Sequence, residues 1–154
     1  MNKIAVFPGS FDPFTNGHNS IVRRALPLFD KIVIAVGINQ EKKYYFPLEK
    51  RMKWIQDVFA GEPKITVDKY SCLTVQYCRR IGAKFLLRGL RTAMDFEYER
   101  MIAQNNKVLA PDIESVFILT TPEMTAVNSS TIRDILRHGG DASHFVPKEV
   151  DLKV

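Results

Sequence analysis

A chain of 154 residues, 45% hydrophobic and 25% charged, is long enough to bury a core without disulfide or metal staples. No stretch approaches the roughly 18 apolar residues of a membrane helix, and the start of the chain runs into an apolar strand without the basic region or small-residue cleavage site of a secretory leader, so a cytoplasmic protein with no membrane partner is expected. The net charge of +5 and the pI of about 9.3 favour anionic partners, nucleic acid and phosphorylated small molecules alike.

In chain order, Ile4 to Phe7 reads as a buried strand and a helix follows from near His18, disturbed at Pro27. Ile32 to Val36 is a second strand, and the next helix runs from Pro47 to about Ala60, with Gly61 as its stop. Ile65 to Val67 is a weaker strand. A helix from Leu73 to Ile81 is closed by Gly82. Cys72 and Cys78 form no C-x-x-C pair and read as reduced thiols. Phe85 to Leu87 is a strand, Ala93 to Val108 a helix, Val116 to Leu119 a strand, and a last helix begins near Ser129 and ends before Gly139-Gly140. Unbroken apolar runs suit parallel strands covered on both faces. The β-α alternation implies an α/β fold: one doubly wound, Rossmann-like sandwich with a five-stranded parallel sheet, a single domain over residues 1–154. Ligands of such sheets sit where the loops after the strands converge.

Four of those loops carry the chemistry. In Phe7-Pro-Gly-Ser-Phe-Asp-Pro-Phe-Thr-Asn-Gly-His18, Gly9 is expected to let the backbone approach a ligand. His18 leads a helical face made with Ile21, Val22, Ala25 and Leu26, at a helix N-terminus that attracts phosphate. His138 and His144 have no such setting and read as ordinary surface or turn residues. Neither a G-x-G-x-x-G nor a P-loop is present. Lys42-Lys43, read alone, is a solvated loop. Arg88-Gly-Leu-Arg91 sets two arginines past a strand, where a guanidinium fork can hold phosphate. Thr92 is the expected cap of the helix that follows, and Asp95, Glu97 and Glu99 suit its early turns. Ser129 or Ser130 is the expected cap of the last helix. Arg133 opposes that helix's dipole unless an anion is bound.

Thr15-Asn-Gly-His18 resembles the T-x-G-H signature of the class I nucleotidyltransferase superfamily. The longer run from Pro8 to His18, with the R-G-L-R and D-F-E-Y-E strings, resembles more narrowly the bacterial phosphopantetheine adenylyltransferase family, over roughly residues 4 to 149. The resemblance implies an enzyme that transfers AMP from ATP to 4'-phosphopantetheine, giving dephospho-coenzyme A and pyrophosphate. Mg²⁺ would travel with the ATP, with no metal held by protein ligands alone. Also implied are a cytoplasmic homohexamer built from two trimers and coenzyme A as a feedback ligand, without a nucleic-acid partner. The residues matching the family's catalytic positions are Ser10, His18, Lys42 and Arg91. Those matching its ATP site are Ser10, Phe11 and His18, then Gly89, Leu90, Arg91 and Glu99, then Met124, Thr125, Ala126, Val127, Asn128, Ser129 and Ser130. The acceptor positions are Ser10, Lys42, Thr74 and Arg88, with Leu73, Ile102 and Asn106 beside the pantetheine arm. Ser10 stands where many members have threonine, and Asn128 where many have serine. Acceptors such as nicotinamide mononucleotide or glycerol phosphate remain open on the short motif alone. A nucleic-acid module would need a basic stripe, whereas these lysines and arginines are dispersed.

Overall fold

The computed structural model describes residues 2–153. Five strands, β1 (Ile4–Gly9), β2 (Lys31–Gly37), β3 (Ile65–Tyr70), β4 (Phe85–Leu90) and β5 (Glu114–Leu119), pair in parallel in the order β3-β2-β1-β4-β5. Between and after them lie α1 (Asn16–Ala25), α2 (Leu48–Val58), α3 (Thr74–Ile81), α4 (Ala93–Leu109) and α5 (Ser129–Arg137).

Alternation along the strands builds two cores. Ala5, Phe7, Ile32, Ile34, Val36 and Leu87 pack on one face with Ile21 and Val22 of α1, Trp54 and Ile55 of α2, and Ile132 of α5. Val6, Val33, Ala35 and Leu86 pack on the other with Val75, Tyr77 and Cys78 of α3. Both faces are covered, which is why β1 and β2 read as unbroken apolar runs rather than as alternating ones. The C-terminal segment closes the first core with Val146 and Val150.

Two glycines fix how α1 meets the sheet and the loop before it. A Cβ on Gly89 would stand 3.0 Å from Ile21 Cγ1, so this position sets how closely α1 approaches β4. A Cβ on Gly9 would stand 2.9 Å from Phe11 Cζ. The missing side chain at Gly9 thus makes room for a neighbouring aromatic ring, and Gly9 also borders the clefts at the sheet's edge, where the sequence reading expected a ligand to approach. Phe11 itself has φ +49, a left-handed conformation rare for a bulky side chain, and its ring is buried between Phe7 and Phe14.

The strand order reverses between β1 and β4. A crevice at the carboxyl ends of those strands is the general ligand position of open α/β sheets.

Candidate active site

Two clefts open at that crevice and share a wall. The larger, about 430 Å³, runs from the shared wall over Gly37, Tyr70, Leu73 and Thr74 to the face of α4 that carries Glu99, Ile102 and Asn106. The smaller, about 320 Å³, runs from the same wall to His18, Gly89, Arg91, Met124, the start of α5 and Arg133. Ser10, Lys42 and Arg88 line both. Lys42 Nζ donates to Ser10 Oγ at 3.1 Å, so the ammonium stands at the junction.

His18 is held by the helix it begins. Thr15 is the N-cap of α1: its Oγ1 accepts the His18 amide at 3.2 Å, and its own amide donates to His18 Nδ1 at 3.0 Å. This is a capping box in which imidazole replaces the usual Glu. Because Nδ1 accepts an N–H, the neutral ring carries its proton on Nε2. Phe11 meets the ring edge-on at 5.0 Å between centroids and Phe14 lies 5.4 Å away. Burial among these rings, reinforced by the positive charges of Arg88 and Arg91, lowers the pKa from 6.5 to about 3. His18 is therefore a neutral hydrogen-bond donor near pH 7, a state that the sequence alone leaves open.

The arginines are oriented by carboxylates. Arg88 forms a two-pronged pair with Glu99, at 2.6 and 2.9 Å, and donates to the Pro8 carbonyl at 2.6 Å. Asp95 accepts the Arg91 amide at 3.0 Å and its Nε at 3.1 Å, while its own amide bonds to the capping Thr92. Arg133 donates to the Asp12 carbonyl at 2.8 Å and to Ser130 Oγ at 3.1 Å. The N-termini of α1 and α5 point their unpaired amides toward the smaller cleft, so four cations and two helix ends converge there.

Most predicted site residues line one cleft or the other, and four fall elsewhere than expected. Glu99 lies in the larger cleft as the partner of Arg88, away from the smaller one. Leu90 follows strand alternation to the face opposite Gly89 and Arg91. Thr125 and Ala126 are exposed and line neither cleft. The cap of α5 is Asn128, whose Oδ1 accepts the Thr131 amide at 2.8 Å, rather than Ser129 or Ser130. Ser129 is thereby free to bond the Pro13 carbonyl at 2.8 Å. Residues that the sequence reading missed include Tyr70, whose hydroxyl bonds Thr74 Oγ1 at 2.9 Å, and the buried pair Asp12 and Arg51. Nothing local marks a buried charge; its partners come from distant loops.

The arrangement offers two anion sites that meet at one point, with a lysine at the junction and a neutral imidazole donor in the smaller cleft. The profile of the cytidylyltransferase-like family matches residues 6–135. The chain is 49% identical to the phosphopantetheine adenylyltransferase of Flavobacterium psychrophilum, over 97% of this chain and 98% of that one. It is 47% identical to that of Bacteroides fragilis, over 96% and 98%. Among solved structures, it resembles a bifunctional NMN adenylyltransferase/ADP ribose pyrophosphatase from Francisella tularensis, with a TM-score of 0.73 at 17% identity, over 95% of this chain and 45% of that one.

Proposed function

The chain belongs to the cytidylyltransferase-like family and, within it, to the phosphopantetheine adenylyltransferases, and from that premise we propose how its two clefts divide the work. It is a nucleotidyltransferase that transfers AMP to phosphopantetheine in coenzyme A biosynthesis. ATP is the AMP donor, bound in the smaller cleft with its phosphates toward Arg91, Arg133 and the start of α5. 4'-Phosphopantetheine lies in the larger cleft. Its phosphate rests against Arg88, Ser10 and Lys42, and its arm runs past Thr74, Leu73, Ile102 and Asn106. The observation that carries this division is the shared wall: Ser10, Lys42 and Arg88 border both clefts, where two phosphate groups have to meet.

The chemistry needs little else. A phosphate monoester has a second pKa near 6 and is largely a dianion at neutral pH, so the acceptor oxygen attacks without a general base. A P–O bond forms to the α-phosphorus and the bond to the β-phosphate oxygen breaks, releasing pyrophosphate. His18 donates Nε2–H to an α-phosphate oxygen and Lys42 places its charge beside it, so stabilisation is greatest where charge accumulates. Mg²⁺ would accompany the triphosphate and would neutralise part of its charge. Among the described residues no group of three or more His, Cys, Asp or Glu is placed to hold a metal ion. The whole chain, residues 1–154, acts as one nucleotidyltransferase domain. It works in the cytoplasm as a homohexamer, with coenzyme A as a feedback ligand that fits across the two clefts.

Pyrophosphate release from ATP and Mg²⁺ tests the reading, with 4'-phosphopantetheine, nicotinamide mononucleotide and glycerol phosphate offered in parallel. Release with 4'-phosphopantetheine alone is expected. Release with another acceptor instead would overturn the acceptor assignment, and none with any of them would overturn the reaction.

A further inference from the structure

Asp12 and Arg51 are 3% and 2% exposed, and neither belongs to the expected catalytic or substrate positions. Charged groups are rarely so buried unless their hydrogen bonds are met. Here every one of those bonds goes to loop backbone. The Asp12 carboxylate, in the loop after β1, accepts the amides of Tyr45 at 2.7 Å and Phe46 at 2.9 Å, in the loop after β2. Arg51, on α2, reaches back: its Nε donates to the Phe46 carbonyl at 2.9 Å and an Nη to the Ser10 carbonyl at 2.7 Å. Its guanidinium also lies 4.2 Å over the Tyr44 ring. Helix α5 joins through Arg133, which donates to the Asp12 carbonyl.

We propose that Asp12 and Arg51 are positioning residues for the transfer step, a reciprocal clasp that holds the Lys42 loop in register against Ser10. The loop after β1 carries Ser10 two residues before Asp12, and the loop after β2 carries Lys42 three residues before Tyr45. Asp12 ties the first loop to the backbone of the second, and Arg51 ties the backbones of both loops to α2, so the Lys42–Ser10 contact depends on both grips. An apolar pair of similar volume would leave the Tyr45 and Phe46 amides and the Phe46 and Ser10 carbonyls without these partners, so the two charges act on loop backbone. What backbone-directed charges add is geometry. Lys42 has four rotatable carbons and one side-chain hydrogen bond, so its reach toward the transferred phosphate is set by where its backbone stands. A misplacement of about 1 Å costs on the order of 10²-fold in rate.

The inference rests on the adenylyl-transfer reading, and its test separates the two. Arg51→Lys retains the charge and the stem but cannot span both carbonyls; Asp12→Asn retains one acceptor. Each is measured alone and in a Lys42→Ala background, with far-UV circular dichroism and a denaturation midpoint as folding controls. The expected result is a fall in kcat of about 10- to 100-fold in each single variant, with both KM values within about threefold of wild type. In the Lys42→Ala background the same changes cost less than about twofold more, because a grip that acts through Lys42 has nothing left to place. Amide exchange at Tyr45 and Phe46 rises in Asp12→Asn. Wild-type kcat in Arg51→Lys, or losses that multiply in the Lys42→Ala background, would overturn the proposal. Should Asp12→Asn not fold, Arg51→Lys alone decides. A wild-type enzyme without turnover would instead overturn the reaction, and the clasp's catalytic role with it.

Discussion

His18 caps a helix and, in the proposed mechanism, would also serve the reaction. Its Nδ1 completes the cap of α1, and that same bond fixes the proton on Nε2, facing the smaller cleft. The folded-state pKa of about 3 lies below the free value of 6.5. Between those values the unfolded chain binds more protons than the folded one, so acid favours unfolding. The stabilising contribution is intact above about pH 6.5 and is lost as pH falls through the window toward 3. His18→Asn separates the two roles, because the carboxamide oxygen can occupy the place of Nδ1 and accept from the Thr15 amide, but it neither protonates nor reaches the α-phosphate. Denaturation midpoints at pH 7 and pH 4.5 are expected to differ less in His18→Asn than in wild type. Its kcat is expected to fall by about 10²–10³. Equal pH dependence would show that the imidazole titrates normally, and near-normal kcat would remove His18 from the mechanism.

At the scale of elements, the sequence was most legible where a rule acts locally. Gly82 closes α3 with φ +76, Thr92 caps α4, and Pro27 turns the end of α1 into a short 3₁₀ stretch. These are properties of a residue and its immediate neighbours. The T-x-G-H loop, the R-G-L-R strand end and the start of α5 likewise converge as the β-α order requires. Legibility failed where tertiary contact chooses among local options. Helix α1 begins at Asn16, two residues before the expected start, because Thr15 caps it with help from an imidazole. Glu99 fits helix-dipole logic, but Arg88 on β4 draws it into the larger cleft. Asn128, Ser129 and Ser130 are all good caps by type; Asn128 takes the cap, which leaves the Ser129 hydroxyl to the Pro13 carbonyl. Asn128→Ala is therefore expected to lower stability by about 1 kcal/mol, read as a shift in the denaturant midpoint, whereas Asn128→Ser recovers most of it. A neutral Asn128→Ala would return the cap to a serine.

The molecule as a whole is held in one respect by a helix that the sheet barely covers. Only Glu99 is buried on the 17 residues of α4. Its face toward the larger cleft carries Glu99, Ile102, Ala103 and Asn106. The opposite face carries Met94, Tyr98, Met101 and Val108 at i, i+4, i+7 and i+14, all more than half exposed, with Met94 at 84% and Val108 at 80%. Such a stripe is costly in water and fits burial in an assembly like the proposed homohexamer. In the proposed assembly one helix would carry an assembly contact on its outer face, while its inner face lines the larger cleft and no α4 residue lines the smaller one. The two clefts should accordingly respond differently when assembly is broken. A Met101→Glu, Val108→Glu double variant is expected to sediment below the wild-type mass. Its KM for 4'-phosphopantetheine should rise several-fold, because α4 loses the support that holds Glu99 against Arg88, while the KM for ATP changes little. Unchanged sedimentation would mean that assembly uses another surface. An equal rise in both KM values would mean that α4 supports the whole site rather than its acceptor half.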